Sequence, residues 1–432
     1  MVDVIIRGNQ RLSGEVYAPP SKAYTHRMLI AALLSGGTTK ILNPLVSDDT
    51  QATLRAVMAF GANVKLQESC WTIEGATQLK TPKNPIDCGE SGATLRFMTP
   101  VAALASEPSI FTLGASLEKR PITPLIQSLK QLGAKASFQR NEKCSFVNVR
   151  GGGIRGGKTS IRGDVSSQFI SGLLFACPKA REDTEITLTT PIESKSYVQM
   201  TKEILNKHGV KVFISKDFRQ LIVPSNQVFS PCSHEVPGDF SSAAFLLAAA
   251  AITSSKVRVK NLDYRTAQGD KAILDILRKM GSKVELNEEC IEVEGKLLNA
   301  VDIDAKDTPD LVPVCAALAC YSRGISKIYN ARRLEHKESN RLLSLYAELK
   351  KMGAEIAMNK DSLTISGPCT MHGAIIDPHN DHRIAMACAI AALGASGETK
   401  IQNSECVKKS YPAFFNDLRS LGANIVGGQF DR

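Results

Sequence analysis

The chain has 432 residues, with 53 Lys and Arg against 43 Asp and Glu for a formal net charge of +10, and is 43% hydrophobic and 22% charged. That length exceeds one ordinary core and that apolar content excludes a disordered polymer, so more than one folded domain is expected. The basic balance suits either a nucleic-acid binder or an enzyme for small polyanions; no long Lys/Arg run occurs and only 6% of residues are aromatic, which leaves a nucleic-acid platform poorly supplied.

In chain order, Met1 to Arg7 alternates like a strand and shows no signal-peptide pattern. The longest apolar run, Ala243 to Ile252, is far short of a membrane span. The 11 cysteines include no CxxC pair, so reduced buried thiols in a cytoplasmic protein are expected, with no metal site and no membrane partner. A helix-ending glycine then recurs at Gly61, Gly133, Gly209, Gly281, Gly353 and Gly422, a spacing of about 72 residues that marks internal repeats. Each glycine suits the left-handed position closing a helix. Before it lies an amphipathic helix such as Leu125 to Lys130, and after it come two strands such as Lys283 to Leu286 and Cys290 to Val293. Each repeat also holds a helix apolar on nearly all sides: Met28–Leu34, Ala93–Ala105, Phe169–Cys177, Ala243–Ile252, Leu311–Cys320 and Ile384–Leu393. Such helices are buried. The repeat therefore reads strand, buried helix, strand, surface helix, strand, strand. Six buried helices exceed one core, so two groups of three are expected, with the Pro/Ser-rich stretch from Pro224 to Pro237 as the hinge.

A helix start is a ready anion site. The residues placed at these starts are Pro20-Ser21-Lys22, Gly89-Glu90-Ser91-Gly92, Ser166-Ser167-Gln168, Asp239-Phe240-Ser241-Ser242, Thr308-Pro309-Asp310 and Asp381-His382-Arg383. Ser241 and Ser242 read as helix caps. A cation at a helix start opposes the dipole, so Lys22 and Arg383 imply a bound anion. The run Arg332 to Arg341 is expected to open a surface helix, placing Lys337 and Arg341 on one face. His26, His208, His234, His372 and His379 show no ligand spacing and read as ordinary. Gly152 to Thr159 satisfies the phosphate-loop pattern, but Ser160 to Asp164 alternates like a strand, so a hairpin exit explains it better.

Pro20-Ser21-Lys22 with Arg27, Gly89-Glu90-Ser91-Gly92 with Arg96, Arg120-Pro121, Ser166-Ser167-Gln168, Ser194-Lys195-Ser196-Tyr197, Asp310, Lys337-Glu338 with Arg341, Asp381-His382-Arg383 and Lys409 together resemble the 5-enolpyruvylshikimate-3-phosphate synthase family, in its order and over essentially the whole chain. The resemblance implies an α/β fold, an inside-out barrel arrangement in which each of two domains has three βαβαββ units around buried parallel helices, closing on a substrate cleft. It places residues 18–236 in one domain and 1–17 with 237–432 in the other, with hinges near 17–20 and 234–239. It implies transfer of the enolpyruvyl group of phosphoenolpyruvate to shikimate 3-phosphate, in aromatic amino-acid biosynthesis, by a monomer that needs no cofactor or metal and no nucleic-acid or membrane partner.

By the same resemblance, Lys22, Gly92, Arg120, Arg341, Arg383 and Lys409 hold phosphoenolpyruvate. Lys22, Arg27, Ser166, Ser167, Gln168, Ser194, Tyr197, Asp310 and Lys337 bind shikimate 3-phosphate, and Lys22, Asp310 and Glu338 are catalytic. This chain departs from the family at Ala23, where Ser is usual, at Arg333 and Asn340, and at Glu90, Ala93 and Phe97 around the glycine loop. The sister family that acts on UDP-N-acetylglucosamine is the alternative. It carries a reactive Cys in the loop that here reads Gly114 to Arg120, and no Cys lies between Cys88 and Cys144. A basic nucleic-acid-binding repeat protein is a remoter reading, and it leaves Asp310 and Glu338 among the cations unexplained.

Overall fold

The computed structural model describes residues 2–140, 145–288 and 290–428. They divide into two compact units, residues 20–236 and residues 1–19 with 237–432. Among the described residues six four-stranded sheets are present, three in each unit.

In the 20–236 unit the buried helices are Lys22–Leu34, Gly92–Ala102 and Ser167–Ala176. Small residues among the apolar ones let neighbouring backbones approach. Gly172 is one such point: a Cβ there would lie 2.4 Å from the Arg96 carbonyl oxygen. Each buried helix runs into a strand that pairs in parallel with the strand before a buried helix and antiparallel with a following hairpin. Thr38–Leu42, for example, lies between Ser233–Glu235 (parallel) and Cys70–Glu74 (antiparallel). Consecutive strands joined in parallel need a helical crossover, and the buried helices Gly92–Ala102 and Ser167–Ala176 supply it for Ile86–Asp87 with Ser109–Thr112 and for Gly157–Ile161 with Thr184–Leu188. The Gly152 to Thr159 segment feeds the strand Gly157–Ile161, and the helix begins only at Ser167, so the phosphate-loop pattern has no helix behind its Lys.

The other unit repeats the plan with buried helices Phe240–Ile252, Val312–Ala319 and His382–Gly394. The N-terminus completes two of its sheets. Ser13–Tyr17 lies parallel to Lys256–Lys260, and Val4–Arg7 inserts between Glu398–Ile401 and Ile425–Gly427, antiparallel to both. Val4 and Ile6 point into the core and are fully buried, as the alternation predicts.

Two local expectations are corrected. Ser241 and Ser242 are not the caps of their helix: Asp239 is, accepting from the Ser242 N–H at 2.8 Å. Arg332 to Arg341 does not form one helix. A 3-10 turn covers Arg332–His336, Lys337 is extended, and the α-helix runs Arg341–Lys351 with Asn340 as its cap. Arg341 is therefore the first residue of that helix and is 1% exposed, rather than part of a solvated face.

Candidate active site

In the 1–19 and 237–432 unit, three buried helix starts converge. Arg383, in the first turn of His382–Gly394, donates through its guanidinium to the carbonyls of Ser241 and Asp310, both at 3.3 Å. Asp310 sits in the 3-10 turn Pro309–Leu311 that leads into Val312–Ala319. Its carboxylate meets three cations: Arg341 at 2.8 Å, Lys337 at 3.1 Å and Arg383 at 3.5 Å. Burial alone would raise its pKa, but Arg383, Lys337 and Arg341 hold the carboxyl well below the usual carboxylate range.

Arg341 is the hub. Its guanidinium donates to Asp310, to Glu338 at 2.6 Å and to Asp381 at 2.8 Å. Burial opposes its charge, yet Asp381, Glu338 and Asp310 together raise its pKa further. The extended backbone at Lys337 turns that side chain toward the same carboxylate that the helix start delivers Arg341 to, so the two meet at Asp310 although they do not share a helix face. Burial lowers Lys337 to about 8, against the pull of Asp310. Lys409, at the end of the 3-10 turn Ser404–Lys409, donates to the Asn380 carbonyl at 2.6 Å.

In the 20–236 unit the polar groups gather in the same way. Lys22 is the first residue of its helix and pairs with Asp49 at 2.9 Å. Lys22 and Arg383, read as cations that imply a bound anion, each already face a carboxylate in the protein, Asp49 or Asp310. Gly92 opens the helix Gly92–Ala102, and a Cβ on it would lie 3.0 Å from the guanidinium carbon of Arg120. The turn carrying Arg120 is tied down by Glu90, which accepts from the Ser116 hydroxyl and from the Leu117 N–H at 3.0 Å. Glu90, a departure from the family, thus has a definite structural task here.

Ser166 caps the helix Ser167–Ala176, accepting from the Gln168 N–H at 3.3 Å. Arg96 donates to the Gln168 side-chain carbonyl at 2.8 Å and fixes which way the amide faces. Ser194 caps Lys195–Lys207 in the left-handed region at φ 55°, a conformation that a non-glycine residue holds only where its surroundings enforce it. Arg27 is 2% exposed. It donates to the carbonyls of Ala23 and Tyr197 and to the Thr201 hydroxyl, and lies over the rings of Phe97 and Tyr197 at 5.1 and 5.7 Å. Burial lowers its pKa to about 10. Tyr197 is therefore seated on a buried cation.

Three features escaped the sequence reading. Asp49 lies in the first turn of Asp48–Ala59, where an acid favours the helix dipole, and only the fold brings Lys22 to it. Asp270 is 2% exposed, accepts from the Ser241 hydroxyl, and is pushed up to about 7 by burial and by Asp310, with Arg383 pulling the other way. His208 and His234, read as ordinary, come together with Cys232, with three donor atoms within 4.8 Å of one another. That proximity is invisible in sequence because His208 is 26 residues from His234.

The arrangement in both units is one of buried carboxylates among fixed cations, suited to binding anions and moving protons. Comparison with known proteins gives it a family. A family model described as EPSP synthase (3-phosphoshikimate 1-carboxyvinyltransferase) matches residues 6–418. The 3-phosphoshikimate 1-carboxyvinyltransferase of Methanocaldococcus jannaschii is 42% identical over 426 residues, 98% of this chain and 99% of that protein. The protein of the same name from Methanocella arvoryzae is 44% identical over 415 residues, 95% of this chain and 97% of its own length. Among solved structures, EPSP synthase from Acinetobacter baumannii superposes with a TM-score of 0.84 at 26% identity, covering 99% of this chain and 100% of the other. The chain belongs to the EPSP synthase (3-phosphoshikimate 1-carboxyvinyltransferase) family.

Proposed function

We infer that this chain transfers the enolpyruvyl group of phosphoenolpyruvate to the 5-hydroxyl of shikimate 3-phosphate and releases phosphate. The observation that carries the assignment of roles is Asp310, a carboxylate kept ionised by three cations. The hydroxyl oxygen must lose its proton as it bonds to C2 of phosphoenolpyruvate, while C3 gains a proton. The tetrahedral adduct then loses phosphate from C2 and the added proton from C3. Asp310 takes the hydroxyl proton and Glu338 serves C3, with Lys22 assisting, and each positioned acid or base is worth on the order of 10²–10⁴-fold.

In the resting state Asp310 is a weak base, because its cations stabilise the charged form. An incoming phosphate or carboxylate competes for Arg383 and Lys337. Each cation drawn away raises the proton affinity of Asp310, so ligand binding itself arms the base. Lys22, Gly92, Arg120, Arg341, Arg383 and Lys409 take the anionic groups of phosphoenolpyruvate. Arg27, Ser166, Ser167, Gln168, Ser194, Tyr197 and Lys337 receive shikimate 3-phosphate, with Arg27 acting from beneath Tyr197. Fixed cations lower the cost of the charge that develops.

We take the working form to be a cytoplasmic monomer without nucleic-acid or membrane partners. Among the described residues no helix is long and apolar enough to cross a membrane. A phosphate-release assay tests the reading. Release from phosphoenolpyruvate that depends on shikimate 3-phosphate, and is lost in Lys22→Met, is expected. Release with UDP-N-acetylglucosamine instead, or silence with both from folded protein, would overturn it.

A further inference from the structure

We propose that His208, Cys232 and His234 form a zinc site that staples the last strand of the 20–236 unit to the end of the helix Lys195–Lys207.

Cys232 and His234 stand two residues apart at the strand Ser233–Glu235, which pairs in parallel with Thr38–Leu42. A spacing of two puts both side chains on one face of the strand. His208 follows the last turn of Lys195–Lys207 and reaches the same face. The His208 and His234 Nε2 atoms are 2.8 Å apart, and Cys232 Sγ is 3.2 Å from His234 Nε2. Both rings are buried, at 0% and 2% exposure.

The proton arrangement follows from one hydrogen bond. His208 Nδ1 lies 2.7 Å from the Ser230 carbonyl, which can only accept, so Nδ1 carries the proton and Nε2 offers a lone pair. The Ser230 N–H returns a bond to the His208 carbonyl at 2.9 Å and locks the ring. This is the outer partner a metal-bound histidine uses to fix its tautomer. With His208 Nε2 bare, His234 must donate to it from Nε2, which leaves His234 Nδ1 bare; that atom is buried with no hydrogen-bond partner among the described residues. Two imidazole nitrogens aimed head to head are poorly served by one shared proton. A cation between them engages both lone pairs, and the thiol supplies a third donor.

The donor set selects the metal. Two imidazoles and a thiolate suit zinc and disfavour calcium or magnesium. Tetrahedral zinc separates its nitrogen and sulfur donors by about 3.3–3.6 Å, so the side chains open by a few tenths of an ångström. A neutral imidazole and a thiolate are the forms that bind the ion. On binding, Cys232 loses its proton and His234 moves its own from Nε2 to Nδ1. One proton is released per ion.

The site does not serve the proposed transfer. The 13-residue helix Lys195–Lys207 separates it from Ser194 by about 20 Å. Its effect is on stability, through the three-residue strand pairing that closes the unit.

Chelator-treated protein titrated with Zn²⁺ alone provides the test, with Co²⁺ alone as the spectroscopic probe. One zinc per chain, about one proton released per ion, a raised melting temperature and a thiolate-to-cobalt charge-transfer band are expected. Cys232→Ser, at a partly exposed position, keeps the fold; it should abolish the band and weaken zinc by roughly tenfold or more. His208→Asn should weaken it likewise. Absence of saturable binding to the native protein, a cobalt band that survives in Cys232→Ser, or zinc affinity unchanged in that variant would each overturn the proposal.

Discussion

Arg341 and Asp381 form a pair with almost no solvent contact: the guanidinium donates from Nε to the carboxylate at 2.8 Å, and the two side chains are 1% and 0% exposed. The same carboxylate caps the helix His382–Gly394, accepting from the Arg383 N–H at 3.0 Å. One side chain therefore sets the position of two cations, Arg341 through an ion pair and Arg383 through its backbone.

Removing it leaves Arg341 short of one of its three carboxylates. Asp381→Ala should destabilise the unit by about 3–5 kcal/mol, as expected for a buried pair broken on one side. Asp381→Asn loses the charge but keeps the cap acceptor, and should cost less. Urea unfolding midpoints of both variants and the native protein give the comparison. Equal midpoints for Ala and Asn would show that the cap contributes nothing, and an Asn midpoint equal to the native one would show the same of the charge.

Gly92 and Arg120 make the second relationship. A methyl group on Gly92 would sit 3.0 Å from the guanidinium carbon and crowd both of its terminal nitrogens. The fold should tolerate this, because a side-chain end can shift where backbone cannot. Gly92→Ala is expected to raise the Michaelis constant for phosphoenolpyruvate roughly ten- to a hundredfold, with little change in melting temperature. Steady-state kinetics with phosphoenolpyruvate varied check it.

The repeats were legible because each is written in the chemistry of a single chain segment: a closing glycine such as Gly353, which adopts φ 93°, and a buried helix such as Ala243 to Ile252. The helix starts were legible for the same reason. What sequence could not show was pairing at a distance. Lys22 finds Asp49 across 27 residues, and Arg341 finds Asp381 across 40. No local pattern encodes those contacts, so an unbalanced cation was expected where a carboxylate already stands. The Arg332 to Arg341 segment failed differently. Its charge periodicity suited a helix, but Asn340 caps a helix that starts at Arg341, and the chain before it is a turn.

Lys337 carries a pH prediction. Its pKa is lowered to about 8 by burial, so the ammonium is charged below that pH and is lost as pH rises through it. The Michaelis constant for shikimate 3-phosphate should be flat below that pH and climb above it. Lys337→Arg stays charged throughout and should remove the climb. A profile identical in both proteins would mean another group titrates there.

Ala23 is the second residue of its helix, and its carbonyl already accepts from Arg27 at 2.8 Å. Ala23→Ser adds a hydroxyl without disturbing that backbone bond. The Michaelis constant for shikimate 3-phosphate should fall about three- to tenfold, the worth of one hydrogen bond. An unchanged or raised value would show that the hydroxyl finds no ligand.

Asp270 makes the fold sensitive to pH in the opposite sense from a paired carboxylate. Its pKa in the folded protein is raised to about 7, far above the ordinary carboxyl value. Between that ordinary value and about 7 the folded state holds the proton and the unfolded chain does not. Stability therefore falls as pH rises, and the full penalty is present once the folded-state pKa is passed. Asp310, held below its usual range, acts the other way: its contribution is present above the ordinary carboxyl pKa and is lost only in acid. Asp270→Asn keeps an acceptor for the Ser241 hydroxyl and removes the charge. It should match the native protein near the ordinary carboxyl pKa of about 4 and exceed it above about pH 7, by on the order of a few kcal/mol. Urea midpoints at about pH 5 and about pH 8, on either side of the folded-state pKa, separate the cases. A gap that fails to widen with pH would mean that Asp270 is already ionised at low pH, and that its neighbours Arg383 and Ser241 compensate the charge.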